Sequence, residues 1–327
     1  MQVSFVSADG ITDHGVADLE TLLTRSDGFA WVDVPDWDAE AEAVLAGPIK
    51  AHPLVRQACA ERNFVPTVHA YEHQLFVILH TALAGESGHV HVHVLDMVVG
   101  EHCLVTVHGP RNPVVSAEAA SEETRGVRAR LEAGRLRPQS THDLAYAIGS
   151  AIARRQSAAV RQVATRLPPM EEQVMATDFH RPEALLEQLF LVRHELMTSR
   201  TMAAQAYDIQ ARIHSLERFV PEEAKRHARD LAEQFERVRN LADGEMQFLV
   251  GVIDLYQTRV TTKMTVAMER LAVIAAITLP ITAIASVYGM NLIVNDETHV
   301  PQLVVVLGVM AVISLGLLRW AHRQGWW

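Results

Sequence analysis

From Leu271 to Asn295 the chain carries no charged residue. A helix needs about 20 predominantly apolar residues, each rising 1.5 Å, to cross a bilayer. This stretch is long enough, and it constrains everything around it. A second uncharged run, Val300 to Leu318, follows after a short connection. Two such runs in succession predict a helical hairpin through a membrane. The competing arrangement is a pair of buried helices in a soluble domain. Soluble helices rarely lack charge over such a length, because one face must meet water.

Charge sets the orientation. Lys263 and Arg270 precede the first run, and Arg319, His322 and Arg323 follow the second. No Lys or Arg lies between Arg270 and Arg319, and the connection from Leu292 to His299 holds Asp296 and Glu297. Positive residues stay on the cytoplasmic side. Both termini are therefore expected in the cytoplasm, with the acidic loop outside.

Pro221-Glu222-Glu223 opens the helix that leads into the first span, with proline in the first turn and acids behind it. No further proline occurs until Pro280. Gly244 and Gly251 lie between, but a glycine inside a helix costs only ~1 kcal/mol. A continuous helix from Glu222 to the membrane exit would run on the order of 100 Å. Along it Asp254, Thr258, Thr261, Thr265, Met268, Leu271 or Ala272, Ala275, Leu279 and Thr282 follow one another at three or four. They make one narrow stripe, while the bulky Ile274, Ile277, Ile281 and Ile284 mostly fall on other faces. No monomer can bury one face of such a rod, so self-association around the stripe is expected. Copies around an axis would line a pore with hydroxyl rings below, a Met268–Leu271 constriction at the membrane entry, and Thr282 above. Periodicity alone fits a coiled-coil seam with incidental threonines equally well.

The earlier chain reads as α/β from residue 1 to 145. Ala30–Val34 is a short strand closed by Pro35, and Asp36–Leu45 reads as a helix opened by acids. Strand-like runs follow at Val65–Tyr71, Gln74–Leu83, His89–Val99 and His102–His108, with a turn at Gly85–Gly88 and a tight hairpin at Gly100-Glu101. A mixed sheet flanked by helices is expected. From Thr141 the period becomes helical: Leu144, Ile148 and Ile152, then Val160, Val163 and Leu167 up to Pro168-Pro169. Pro182 opens another helix through Leu185, Leu189, Val192 and Leu196. The expected division is a cytoplasmic α/β domain over 1–145, a helical domain and stalk over 146–266, and a two-helix membrane domain over 267–327 with an external loop at 292–299.

Composition excludes some functions. The formal charge is −10, from 39 acids against 29 Lys plus Arg. An acidic surface is a poor nucleic-acid binder and attracts divalent cations. The first ten residues contain no long apolar core, so no signal peptide is expected. Cys59 and Cys103 fall in the part expected in the cytoplasm, where a disulfide is not expected. No Ser-His-Asp or cysteine-nucleophile pattern and no GxxxxGK[ST] loop occurs, so an enzyme is not expected. His89, His91 and His93 alternate along one strand and share a face. They fit either a solvated polar face or, with help from another strand, a Zn²⁺ or Ni²⁺ site.

Tyr288-Gly289-Met290-Asn291 stands at the outer end of the first of two C-terminal spans, after a long charged helix. In that setting it resembles the signature of the CorA-type divalent cation channels, the two-span magnesium, cobalt and zinc transporters. The likeness runs back through Pro280, Leu271, Met268 and Asp254, and on to the tail His322-Arg323-Gln324-Gly325-Trp326-Trp327. It covers Leu185–Leu216 less closely. The resemblance implies an α+β membrane protein with a helical stalk continuous with the first span, a homopentamer, and a plasma-membrane location. Gly289, Met290 and Asn291 would form the outer selectivity ring. Mg²⁺ demands octahedral oxygen and dehydrates reluctantly, which suits a ring of neutral oxygens that holds the hydrated ion. Asp296 and Glu297 would concentrate cations at the mouth. Asp254 would bind a regulatory divalent cation from inside. No cofactor is implied beyond the transported and regulatory cation.

Two departures from the family matter. Thr265 stands where the magnesium pattern has asparagine, and Leu292–Glu297 is more acidic than the glycine-rich loop of the zinc-type relatives. The expected function is uptake of Mg²⁺, with Co²⁺ and Ni²⁺ as further candidates, down the membrane potential. A zinc transporter of the same architecture, proton-driven, is the alternative. A two-span signalling receptor is the rival from another class, but 292–299 is too short to fold as a sensing domain.

Overall fold

The computed structural model describes residues 1–63, 65–84, 90–110, 112–176, 182–216, 220–289 and 300–323, the side chains of 82–84, 182, 288 and 302 apart. The chain divides into two compact units, Met1–Gly251 and Val252–Trp327. The turn expected at Gly85–Gly88 lies outside the described residues.

Alternating apolar residues build the sheet of the first unit. Its strands are β1 (Gln2–Ser7), β2 (Gly10–His14), β3 (Gly28–Val34), β4 (Thr67–Tyr71), β5 (Gln74–Ala84), β6 (Val90–Gly100) and β7 (Cys103–Val107). They lie in the order β2-β1-β3-β7-β6-β5-β4. Only β3 and β7 pair in parallel; the other neighbours are antiparallel. The β1–β2 hairpin occupies a segment in which the sequence signals no strand. Val3 and Phe5 point into the core, and Gly10 takes φ +131°, a turn conformation that other residues rarely adopt.

Because side chains alternate, each strand feeds two cores. Phe29, Trp31, Leu75, Val77, Leu79, Leu95, Met97 and Leu104 face one side. They are covered by α5 (Glu122–Glu132), α6 (Thr141–Ala164), α8 (Pro182–Ser215) and the start of α9 (Glu222–Gly289). Ala30, Val32, Val34, Phe76, Ile78, Val98 and Val105 face the other, under α1 (Leu19–Leu22), α2 (Ala39–Ala46) and α3 (Pro53–Ala60). Short α4 (Ala117–Ala120) precedes α5. The helix α7 (Leu167–Met175) carries Pro168 and Pro169 in its first turn, where no backbone N–H is missed. A capping box starts α6, with Ser140 accepting from the Asp143 N–H and Asp143 accepting from the Ser140 N–H.

The first turns of α9 are fixed against α6. A Cβ on Gly149 would come within 2.9 Å of Leu231 Cδ1, so a larger residue here would push the end of the Leu231 side chain aside. Tyr146 donates to Asp230 at 2.6 Å, and Gln234 donates to Ser150 at 3.2 Å. The helix then continues to Gly289 as one element of 68 residues.

Two buried polar features interrupt the core. His93 is buried on the α6 side of the sheet, with its Nε2 3.5 Å from His108 Nδ1; His108 Nε2 lies 3.0 Å from Asp33 Oδ1. Burial, with the neighbouring His108 as a lesser cause, pushes the His93 imidazole down to about 3. The histidine run is thus no uniform solvated face. His89 lies outside the described residues, and among the described residues no three His, Cys, Asp or Glu side chains are placed to hold a metal. On the other side of the sheet, Asp96 is fully buried and neither of its oxygens has a hydrogen-bond partner. Burial pushes its carboxyl up to about 8, with the nearby Cys59 thiol giving a smaller opposing pull.

Asp96 gives a pH prediction. Its folded pKa is raised above the unfolded value, so between roughly pH 4 and 8 the folded state keeps a proton that the unfolded chain has lost. Stability should fall as pH rises through that window, by at most about 1.36 kcal/mol per pH unit from this group. Asp96→Asn cannot titrate and should lack this slope. Melting of the purified proteins at pH 5 and pH 8 checks it: the wild type should lose on the order of 5–10 °C more than the variant. Parallel losses would show that Asp96 is solvated.

Candidate ion-conduction pathway

Among the described residues, two helices are long and apolar enough to cross a membrane: the C-terminal part of α9 and α10 (Val300–Arg323). In the second unit each of them has one partly covered face. On α9 it comprises Val273, Ile277, Pro280 and Ile284; on α10 it comprises Val306, Met310, Ile313, Leu317 and Ala321. Both sets recur at three or four, the spacing of a helix packing seam.

The stripe expected to line a pore lies elsewhere on α9. Asp254, Thr258, Thr261, Thr265, Met268, Leu271, Ala275, Leu279 and Thr282 are all exposed in the single chain. Met268, Leu271 and Leu279 are 55%, 65% and 67% exposed. Three large apolar side chains in line with a row of hydroxyls, uncovered by their own chain, leave a surface for other copies to close. Ile277, Ile281 and Ile284 are partly covered and lie off this stripe, as their sequence positions imply; Ile274 is exposed.

The threonines have a definite chemical polarity. Thr258 donates to the Asp254 carbonyl at 2.9 Å, Thr261 to Gln257 at 2.9 Å, Thr265 to Thr261 at 3.0 Å and Thr282 to Thr278 at 2.8 Å. Each hydroxyl proton is thus committed to its own helix. The oxygen lone pairs remain available as acceptors. The waters around a cation present their hydrogens outward, so this stripe can receive them without stripping the ion. Thr262 and Thr278 bond backward in the same way but sit off the stripe. That habit cannot be read from residue spacing.

Asp254 is exposed, and among the described residues no ion pair engages it. Pro280 sits inside α9 without ending it. Gly289 is the last residue of α9, exposed, with nothing within 4 Å of where a Cβ would be. Met290, Asn291, Asp296 and Glu297 lie outside the described residues. Of the filter and mouth residues, only Gly289 is placed.

The sequence matches the profile of the CorA-like Mg²⁺ transporter protein family over residues 26–323. YfjQ of Bacillus subtilis (strain 168) is 26% identical over 303 residues, covering 90% of this chain and 89% of that protein. The cobalt/magnesium transport protein CorA of Thermotoga maritima is 22% identical over 341 residues, covering 100% and 92%. Among solved structures, the complete CorA magnesium transporter of Methanocaldococcus jannaschii superposes with a TM-score of 0.82 at 16% identity, covering 100% of this chain and 99% of that one. At that identity the superposition establishes the fold, which includes the α/β unit, the long helix and the two spans. The family is one of membrane transporters rather than enzymes. The profile match over nearly the whole chain decides membership: this protein belongs to the CorA-like Mg²⁺ transporter family.

Proposed function

We propose that five copies of this chain assemble around the α9 stripe as a channel that admits Mg²⁺ to the cytoplasm, with Co²⁺ and Ni²⁺ as lesser cargo. The observation that carries this reading is the exposed row of back-bonded threonines leading to Gly289. Hydrated Mg²⁺ fits such a lining because it gives up water reluctantly. Gly289, Met290 and Asn291 act as the outer filter, and Asp296 and Glu297 raise the cation concentration at the mouth. The protein sits in the bacterial inner membrane with both termini in the cytoplasm.

Transport is passive. No Asp, Glu, Lys, Arg or His occurs from Leu271 to Asn295 or from Val300 to Leu318, whereas proton relays use such groups inside the membrane. At 100 mV, inside negative, a divalent ion gains ~4.6 kcal/mol, twice the value for a single charge. That suffices for uptake. The names of the Thermotoga and Methanocaldococcus relatives favour magnesium over zinc as the main cargo.

Uptake into liposomes loaded with a cation indicator tests both points. Mg²⁺ should enter faster than Zn²⁺, follow an imposed negative potential, and ignore a pH gradient. Zinc preference with stimulation by a pH gradient would establish instead the proton-driven zinc transporter.

A further inference from the structure

The chain is acidic overall, yet the described membrane entry is cationic. Arg259, Lys263 and Arg270 lie on α9, and Arg319 and Arg323 on the last turns of α10. Between Asp254 and Asp296 the sequence has one acid, Glu269, and from Val300 onward it has none. A positive-inside bias explains cations near the spans. It does not require that they share one face.

On α9 they do. Arg259, Lys263, Val266 and Arg270 are separated by four, three and four residues, which places them in a single row. At about 100° per residue, this row lies roughly opposite the threonine stripe. Glu269 projects about 100° away from Arg270. The cationic row is therefore turned from the axis around which copies would assemble. A groove of about 730 Å³ runs along it, lined by Arg259, Thr262, Lys263, Val266, Ala267, Arg270 and Leu271. It is polar and cationic toward Arg259 and apolar toward Leu271, where the uncharged run begins. On α10, Trp320 is exposed between Arg319 and Arg323, at the end of the second uncharged run. Tryptophan favours the membrane–water boundary.

We infer that the groove along Arg259, Lys263 and Arg270 is a binding site for an anionic phospholipid of the cytoplasmic leaflet. Its phosphate lies between Lys263 and Arg270, and its acyl chains continue past Arg270 into the hydrocarbon. Arg270 stands at the edge of the hydrocarbon, and Lys263 lies about 10 Å further out at 1.5 Å per residue. That interval spans a headgroup region, which is several ångströms thick on each side. Basic pockets on the cytoplasmic side of spanning helices recognise acidic headgroups through this combination of charge and apolar wall. The inference rests on the membrane placement of α9 and not on which ion passes.

Lipid retention by the full-length protein in detergent tests it. The protein is equilibrated with phosphatidylglycerol or phosphatidylcholine of the same acyl chains, and bound lipid is counted by native mass spectrometry. Wild type should keep phosphatidylglycerol in preference to phosphatidylcholine. Lys263→Gln with Arg270→Gln should weaken that binding by roughly tenfold or more, whereas Arg212→Gln, a charge loss in the first unit, should not. If the double variant does not assemble, each single variant should show a smaller loss of the same sign. Millimolar inorganic phosphate should not compete. Equal retention of both lipids, undiminished retention in the variants, or displacement by inorganic phosphate would each overturn the lipid site. Ion selectivity does not enter any of these readouts.

Discussion

Asn291→Ala is expected to lower Mg²⁺ flux at least about tenfold, while the protein still folds and reaches the membrane. The side-chain carbonyl of Asn291 would accept hydrogen bonds from the waters of a divalent cation. Those waters are strongly polarised, and hydrogen bonds to charged partners contribute about 1.5–3 kcal/mol each. Losing one such acceptor per copy therefore costs a factor of ten or more in occupancy of the filter. Alanine removes the acceptor without adding bulk, so a block by steric closure is not at issue. Uptake into liposomes, normalised to protein that elutes as the same oligomer as wild type, gives the comparison. Wild-type flux through an assembled variant would remove Asn291 from the filter, and the role would pass to the Gly289 carbonyl and the threonine stripe.

Asp254→Asn is expected to shift inhibition by internal Mg²⁺ to at least about threefold higher concentration. Asp254 is exposed on the same stripe as the threonines, three turns before Thr265, and among the described residues no ion pair engages it. Copies of an uncompensated carboxylate around one axis repel one another. In the proposed channel a bound divalent cation would cancel that repulsion and draw the helices together, closing the Met268–Leu271 constriction. Asparagine would remove most of the affinity for the cation, so more of it would be needed for the same closure. Flux against internal free Mg²⁺, measured on both proteins in the same vesicles, distinguishes the outcomes. Superimposable inhibition curves would exclude Asp254 from control and leave the pore stripe untouched.

Much of the architecture is readable in the sequence, for reasons that can be named. β3, β5, β6 and β7 are legible as near-continuous apolar runs because both of their faces are buried, and α6 and α8 repeat at four because one side packs on the sheet. The hairpin of spans is legible because charge is absent over long stretches. β1 and β2 are not legible: Gln2–Ser7 alternates valine and phenylalanine with serine over one short strand, and its partner β2 is mostly polar and exposed. α5 is hidden for a different reason. It reads EETRGVRARLE, with a glycine inside and only Val127 and Leu131 as buried apolar residues, so its apolar period is too brief to register. His93 shows where local pattern misleads. Its spacing with His91 sets a shared face, but His108 on the adjacent strand decides what that face meets.

The candidate site divides along the same line. Its stripe is legible because an uninterrupted helix converts spacing directly into a face. The direction of each threonine hydroxyl is not, because that depends on whether the proton turns back to the carbonyl four residues earlier. In the proposed assembly, ion preference would depend on distances between copies, which residue spacing within one chain does not set.

The committed hydroxyl protons have a consequence for the sign of the ion that can pass. Chloride draws water hydrogens toward itself and turns water oxygens outward. Those oxygens need donors, and Thr258, Thr261, Thr265 and Thr282 have already spent theirs on the backbone. A hydrated anion between such rings would find fewer partners for its outward water oxygens than a hydrated cation finds for its outward water hydrogens. In the proposed channel such a lining would favour hydrated cations over hydrated anions, and at Thr282 it would do so without a fixed negative charge inside the membrane, where such a charge would be costly to bury.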